Sequence, residues 1–203
     1  MTASERKPAV EGAVVVQGRL VALRHKRIED ADDDYRWRVD PELAELDATV
    51  AMRLSLDDFR SRIAQELRYP TAWVKRFAID TLDGVHVGNC MAYDLDTVTG
   101  EGEVGIMIGE RAYWGQGYGT EALALLVDEC FAMNSIRRLY LHTLEWNERA
   151  RRAFAKIGFR EVRSVRRAGK DFVRMELQRK DWPAKRAVLL HAPPAPDASP
   201  QDG

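Results

Sequence analysis

Tyr113-Trp114-Gly115-Gln116-Gly117-Tyr118-Gly119-Thr120 runs without a break into Glu121-Ala122-Leu123-Ala124-Leu125-Leu126-Val127-Asp128-Glu129-Cys130-Phe131. Three glycines at alternate positions remove the Cβ clashes that keep successive backbone N–H groups from pointing the same way. Leu123, Leu126, Val127, Cys130 and Phe131 recur at helical spacing, so a buried helix begins where the glycines stop. The positive end of its dipole adds to the aligned N–H groups, and the stretch reads as an anion cradle suited to phosphate.

The glycines alone are ambiguous. Gly117-Tyr118-Gly119-Thr120-Glu121-Ala122 also satisfies the dinucleotide pattern G-x-G-x-x-A. That fold needs the loop directly after its first strand with several βα units beyond it, whereas here three antiparallel-type strands precede the loop and little chain follows. A P-loop needs Gly-Lys before Ser or Thr at the helix start, and no such run exists. A tight turn is the bland alternative, but three glycines between two aromatics exceed what a turn requires.

Residues 1–11 read as a loose leader. Residues 14–24 alternate as a strand interrupted at Gly18. A short helix over 28–39 ends at Asp40-Pro41, because the residue before proline avoids the α region, and 41–46 add a turn. Ser55 with Asp58 forms a capping box for a helix through Phe59, Ile63 and Leu67. Strands over 73–80, 85–94 and 102–108, separated by Asp83-Gly84 and Thr99-Gly100, make an antiparallel meander. After the glycine-rich loop and its helix come a strand over 138–144, a helix capped by Asn147 and stopped by Gly158, and a hairpin of 159–165 with 172–178. The Ala/Pro-rich segment 183–203 has too little apolar content to pack and is expected to be disordered, leaving one domain over 12–182.

Lys plus Arg number 31 against 32 Asp plus Glu, which argues against a nucleic-acid binder. The distribution is uneven: residues 27–58 are acidic and 147–186 basic, matching either solvated faces or a cationic acceptor on one side and a polyanionic cofactor on the other. Cys90 and Cys130 sit in apolar stretches without metal-ligand spacing, so they read as core residues of a reduced, cytoplasmic chain, with no metal implied. No run approaches membrane-spanning length, so no membrane partner is expected.

The order strand, two helices, three strands, Tyr113 to Ala122, strand, and Asn147 through Lys156-Ile157-Gly158-Phe159 resembles the GNAT superfamily of N-acetyltransferases over 18–182. Asp40-Pro41-Glu42 and Glu103-Val104-Gly105-Ile106-Met107-Ile108-Gly109 are similar to its RimJ/RimL branch, which acetylates protein N-termini and includes polyamine-acetylating enzymes. The resemblance implies an α/β (α+β) GNAT fold: a mixed, mostly antiparallel sheet of about seven strands splayed at strands four and five, with about four helices. It implies acetyl-CoA as the donor, its pyrophosphate on the backbone N–H groups of Gln116, Gly117, Tyr118, Gly119 and Thr120. It also implies pantetheine added as a pseudo-strand to the exposed edge of the strand over 102–108. Gly105 in mid-strand fits this through a bulge or the close approach of another backbone, freeing amides near Met107 and Ile108. Asn147 serves as a helix cap, a cofactor contact, or both. Arg149, Arg151 and Arg152 are candidates for the adenosine 3′-phosphate, with a solvated helix face as the alternative.

Acetyl transfer to an amine requires a neutral nucleophile, a polarised thioester carbonyl and protonation of the departing thiolate. Glu103, on the strand that the resemblance places at the active site, is the candidate base, acting directly or through a water. Glu121 suits a favourable first-turn helix charge better than a catalytic role. The sequence departs from the family where many members carry a tyrosine acid and a serine: here these are Phe154 and Ala150, neither of which can donate a proton. Tyr140, His142 and Cys90 are possible substitutes, each more naturally core or scaffold. Trp114 stands where Arg or Gln is commoner. Trp37 and Tyr35, among the acids around Asp32 and Asp47, are the candidates for contact with the acceptor. The expected acceptor is a peptide α-amine or a small polyamine-like or aminoglycoside-like molecule, and the chain is expected as monomer or homodimer. A non-catalytic acyl-CoA binding module is the competing class.

Overall fold

The computed structural model describes residues 11–71 and 73–191. An eight-stranded sheet runs in the order β1-β2-β3-β4-β5-β6-β8-β7. The strands are β1 Val14–Gln17, β2 Val21–His25, β3 Lys75–Thr81, β4 His86–Asp96, β5 Glu101–Ile108, β6 Arg138–Leu144, β7 Arg160–Arg167 and β8 Lys170–Gln178. All neighbours are antiparallel except β5 and β6. The helices are α1 Ala31–Val39, α2 Pro41–Leu46, α3 Leu56–Arg68, α4 Tyr118–Phe131, α5 Glu148–Ile157 and α6 Trp182–His191. This is the mixed, mostly antiparallel architecture expected. Its extra strand arises because Gly18 closes a hairpin where a single interrupted strand was expected, and the splay therefore falls between β5 and β6.

α4 is apolar almost all round, with Ala122 through Val127, Cys130 and Phe131 buried. Such a helix must be covered on every side: it packs on β2, β4 and β5 and against α5 and α6. Its first turn is tied to the β1–β2 turn by Glu121, whose buried carboxylate accepts the backbone N–H groups of Arg19 (3.0 Å), Leu20 (2.6 Å) and Val21 (3.0 Å). A Cβ at Gly18 would lie 2.7 Å from that carboxyl carbon, so glycine there makes room for the anchor. Glu121 is thus a structural clasp, more than the helix-dipole charge read from sequence.

α6 corrects the sequence expectation for 183–191. Trp182 is 3% exposed, its Nε1 donates to Asp128 on α4 at 2.9 Å, and Leu189 and Leu190 pack against the core. The remainder of the expected tail, 192–203, and residues 1–10 of the expected leader lie outside the described residues. Among the described residues no helix is long and apolar enough to cross a membrane.

The expected helix caps form. Ser55 Oγ accepts the Asp58 N–H, Asn147 Oδ1 accepts the Ala150 N–H, and Gly158 ends α5 at φ +115°. No bulge forms at Gly105: β4–β5 pairing is continuous from Tyr93↔Glu103 to Gly88↔Ile108, and the register shifts only between Tyr93 and Asp96.

Candidate active site

β5 and β6 pair through Glu101↔Arg138, Gly102↔Leu139 and Glu103↔Tyr140 and then part, although β5 continues to Ile108 and β6 to Leu144. Backbone groups of β5 beyond Glu103 that turn away from β4 have no strand to pair with, and buried groups of that kind demand a partner. A cavity of about 640 Å³ occupies the gap, lined by residues 103–108 of β5, 141–144 of β6, the glycine loop, the start of α4 and α5. That volume suits a sizeable ligand. Trp114 Nε1 donates to the Ile108 carbonyl at 2.7 Å, closing off the last acceptor of β5.

The cradle lies in the same cavity. Gly115 and Gly117 have left-handed backbones, at φ +76° and +95°, and a Cβ at Gly115 would meet nothing within 4 Å. Gly117 is the N-cap of α4, so its turn aims the first orphan N–H groups of a 14-residue helix into open space. Gly117, Gly119 and Thr120 line the cavity, as do Met107 and Ile108. Gln116 and Tyr118 do not: the Gln116 side-chain amide donates to the Ala112 carbonyl, and the Tyr118 ring packs edge-on against Tyr113 at 4.9 Å. The glycine-lined space at a helix start suits an anionic group such as phosphate.

Glu103 sits where the strands part. It is 9% exposed, and its Oε1 accepts a hydrogen bond from His142 Nδ1 at 2.8 Å. Tyr93, its directly opposed partner on β4, also hydrogen-bonds to it. Burial and the Glu103 charge push the Tyr93 phenol well above its usual range, keeping it protonated. A Cβ at Gly105 would make ordinary van der Waals contact with Tyr93 Cε1 at 3.7 Å, so the pairing does not require glycine there. Phe154 and Ala150 both line the cleft without offering a proton. Of the suggested substitutes, Cys90 is 2% exposed with its thiol pushed far up by burial, and Tyr140 lies under the Arg174 guanidinium at 3.7 Å.

Among the expected cations, Arg149 and Arg152 line the cavity, whereas Arg151 turns away to Glu161 and the Glu145 carbonyl. Arg149 stacks on Trp114 at 3.9 Å and Arg152 pairs with Glu148 at 2.8 Å. Asn147 caps α5 and also lines the cavity. The structure brings neither expected acceptor residue to the cleft. Trp37 is 2% exposed, donates from Nε1 to Glu110 at 2.9 Å and packs on Gly109, where a Cβ would lie 2.0 Å from its ring. Tyr35 donates to the Leu54 carbonyl at 2.9 Å and packs on Phe59, holding α1 to α3. Asp47, Lys156, Arg167 and Phe172 line the cleft instead. Sequence reading passed over Tyr93, whose pairing with Glu103 depends on the bulge before Asp96. The His142 contact spans 39 residues and only the sheet order reveals it.

A sheet opened between two parallel strands and a glycine loop at the head of the helix that follows share one cavity. The family model of the GNAT acetyltransferase domain matches residues 20–160, and the chain belongs to that family. Solved structures with the same fold include spermidine N-acetyltransferase from Vibrio cholerae in complex with CoA and spermine, at 15% identity and TM-score 0.71, covering 80% of this chain and 98% of that one. An aminoglycoside acetyltransferase in complex with coenzyme A is similar at 22% identity and TM-score 0.66, covering 82% and 99%. A GNAT-family acetyltransferase from Bacillus anthracis is similar at 15% identity and TM-score 0.68, covering 81% and 98%.

Proposed function

We propose that this acetyltransferase moves the acetyl group of acetyl-CoA to a primary amine by direct attack, in the manner of the RimJ/RimL branch, with a peptide α-amine or a small polyamine-like molecule as acceptor. The observation that carries this reading is one cavity holding both the open edge of β5 with Glu103 at its closed end and the glycine cradle of α4. Acetyl-CoA supplies an activated thioester whose thiolate leaves readily. Gly117, Gly119 and Thr120 bind its phosphates through their N–H groups, Met107 and Ile108 flank its pantetheine arm, and Arg149 and Arg152 meet its adenosine phosphate. Glu103 takes the proton of the attacking amine, directly or through a water. Deprotonation matters more for a lysine-like nitrogen of reference pKa ~10.4 than for an α-amine near ~8.

The test is release of free thiol from acetyl-CoA over a panel of peptides with free α-amines, spermidine and kanamycin. Thiol release that depends on one amine supports the reading. Tight CoA binding without release for any amine would replace it with a non-catalytic CoA-binding module.

A further inference from the structure

His142 is 6% exposed in its side chain and carries an asymmetry. Nδ1 faces the Glu103 carboxylate, which only accepts, so Nδ1 carries the proton; Nε2 is buried with no partner among the described residues. The ring is set edge-on against Tyr140 at 5.7 Å, and Tyr140 is pinned by Arg174 from β8. The imidazole thus has one polar engagement, and it lies on the carboxylate that faces the cleft. Resting on the acetyl-transfer reading, we infer that His142 is a positioning residue: its Nδ1–H fixes the Glu103 carboxylate where β5 and β6 part, in place to take the proton of the attacking amine. The titratable side chains that interact with Glu103 are Tyr93 on β4 and Tyr140 and His142 on β6.

A mere clasp between β5 and β6 would alter stability and leave kcat of the folded protein in place, which separates the two roles. The experiment compares wild type, His142→Leu and His142→Asn, the asparagine amide standing in for Nδ1–H. In ¹⁵N NMR of the ligand-free wild type, neutral His142 carries its proton on Nδ1. CoA affinity by calorimetry stays within about twofold of wild type in both variants, because His142 lies off the cradle. With the most active amine of the panel, kcat falls about tenfold in His142→Leu with KM for acetyl-CoA unchanged, and returns toward wild type in His142→Asn. A proton on Nε2 with Nδ1 bare overturns the inference, as does a kcat in His142→Leu that coincides with wild type. Absence of turnover in wild type would sink the functional reading instead, and the NMR result would still decide the direction of the hydrogen bond.

Discussion

Two buried carboxylates, Glu103 and Glu121, are 9% and 6% exposed and lie on consecutive elements, yet their surroundings assign them opposite tasks. Glu121 accepts three backbone N–H groups from one turn, and backbone donors do not titrate. Its charge is committed to holding the cradle helix against β1 and β2. Glu103 is held by side chains, His142 and Tyr93, which are themselves proton carriers, and it faces a cavity. A carboxylate satisfied by amides is structure; one satisfied by titratable side chains beside a cleft is available for chemistry.

The largest effect that tests this contrast is on turnover. Glu103→Gln keeps size and polarity but removes the base, so kcat falls about 10²–10⁴-fold while CoA affinity stays within about twofold. Steady-state kinetics with calorimetry checks this, and unchanged turnover across pH would break the contrast. Glu121→Gln should do the reverse: it turns an amide N–H toward buried N–H donors and costs about 2–3 kcal/mol of stability, read as a lower denaturation midpoint. If instead Glu121→Gln left stability intact, Glu121 would not be a clasp. A smaller effect falls on the cofactor: if Arg149 and Arg152 hold the adenosine phosphate as proposed, Arg149→Ala and Arg152→Ala each weaken CoA about three- to tenfold at low salt but leave dephospho-CoA unchanged. Equal losses for both ligands would move these arginines elsewhere. The smallest response concerns the thiols. Burial pushes Cys130 up to about 12 and Cys90 further, so native protein at pH 8 resists iodoacetamide at both positions, and rapid labelling of Cys90 would reopen it as a proton donor.

What was legible in the sequence was local. The caps at Ser55 and Asn147 and the meander leading to Glu103 each rest on a few neighbouring residues and took their expected form, while of the expected cradle Gly117, Gly119 and Thr120 line the cavity and Gln116 and Tyr118 do not. Long-range events were hidden. Trp37 looked like a surface aromatic among acids, but Gly109, 72 positions on, makes the slot it fills. Gly18 read as an interruption because the reason for a hairpin there, the Glu121 carboxylate, lies 103 positions away. The segment after Trp182 looked too poor in apolar residues to order, yet a few contacts on α4 suffice for α6. The glycine-loop lining of the cavity was more legible than the rest because a backbone anion site is written in glycines, whereas the remaining lining is assembled from side chains on α2, β4, β6 and the β7–β8 hairpin.

The central claim is that the unpaired edge of β5 and the head of α4 form one CoA site. Amide hydrogen exchange over 104–108 and 116–120, measured with and without saturating CoA, tests it most directly. The account predicts slower exchange in both segments on adding CoA. CoA binding that slows exchange at neither, or only at a distant surface, would contradict it.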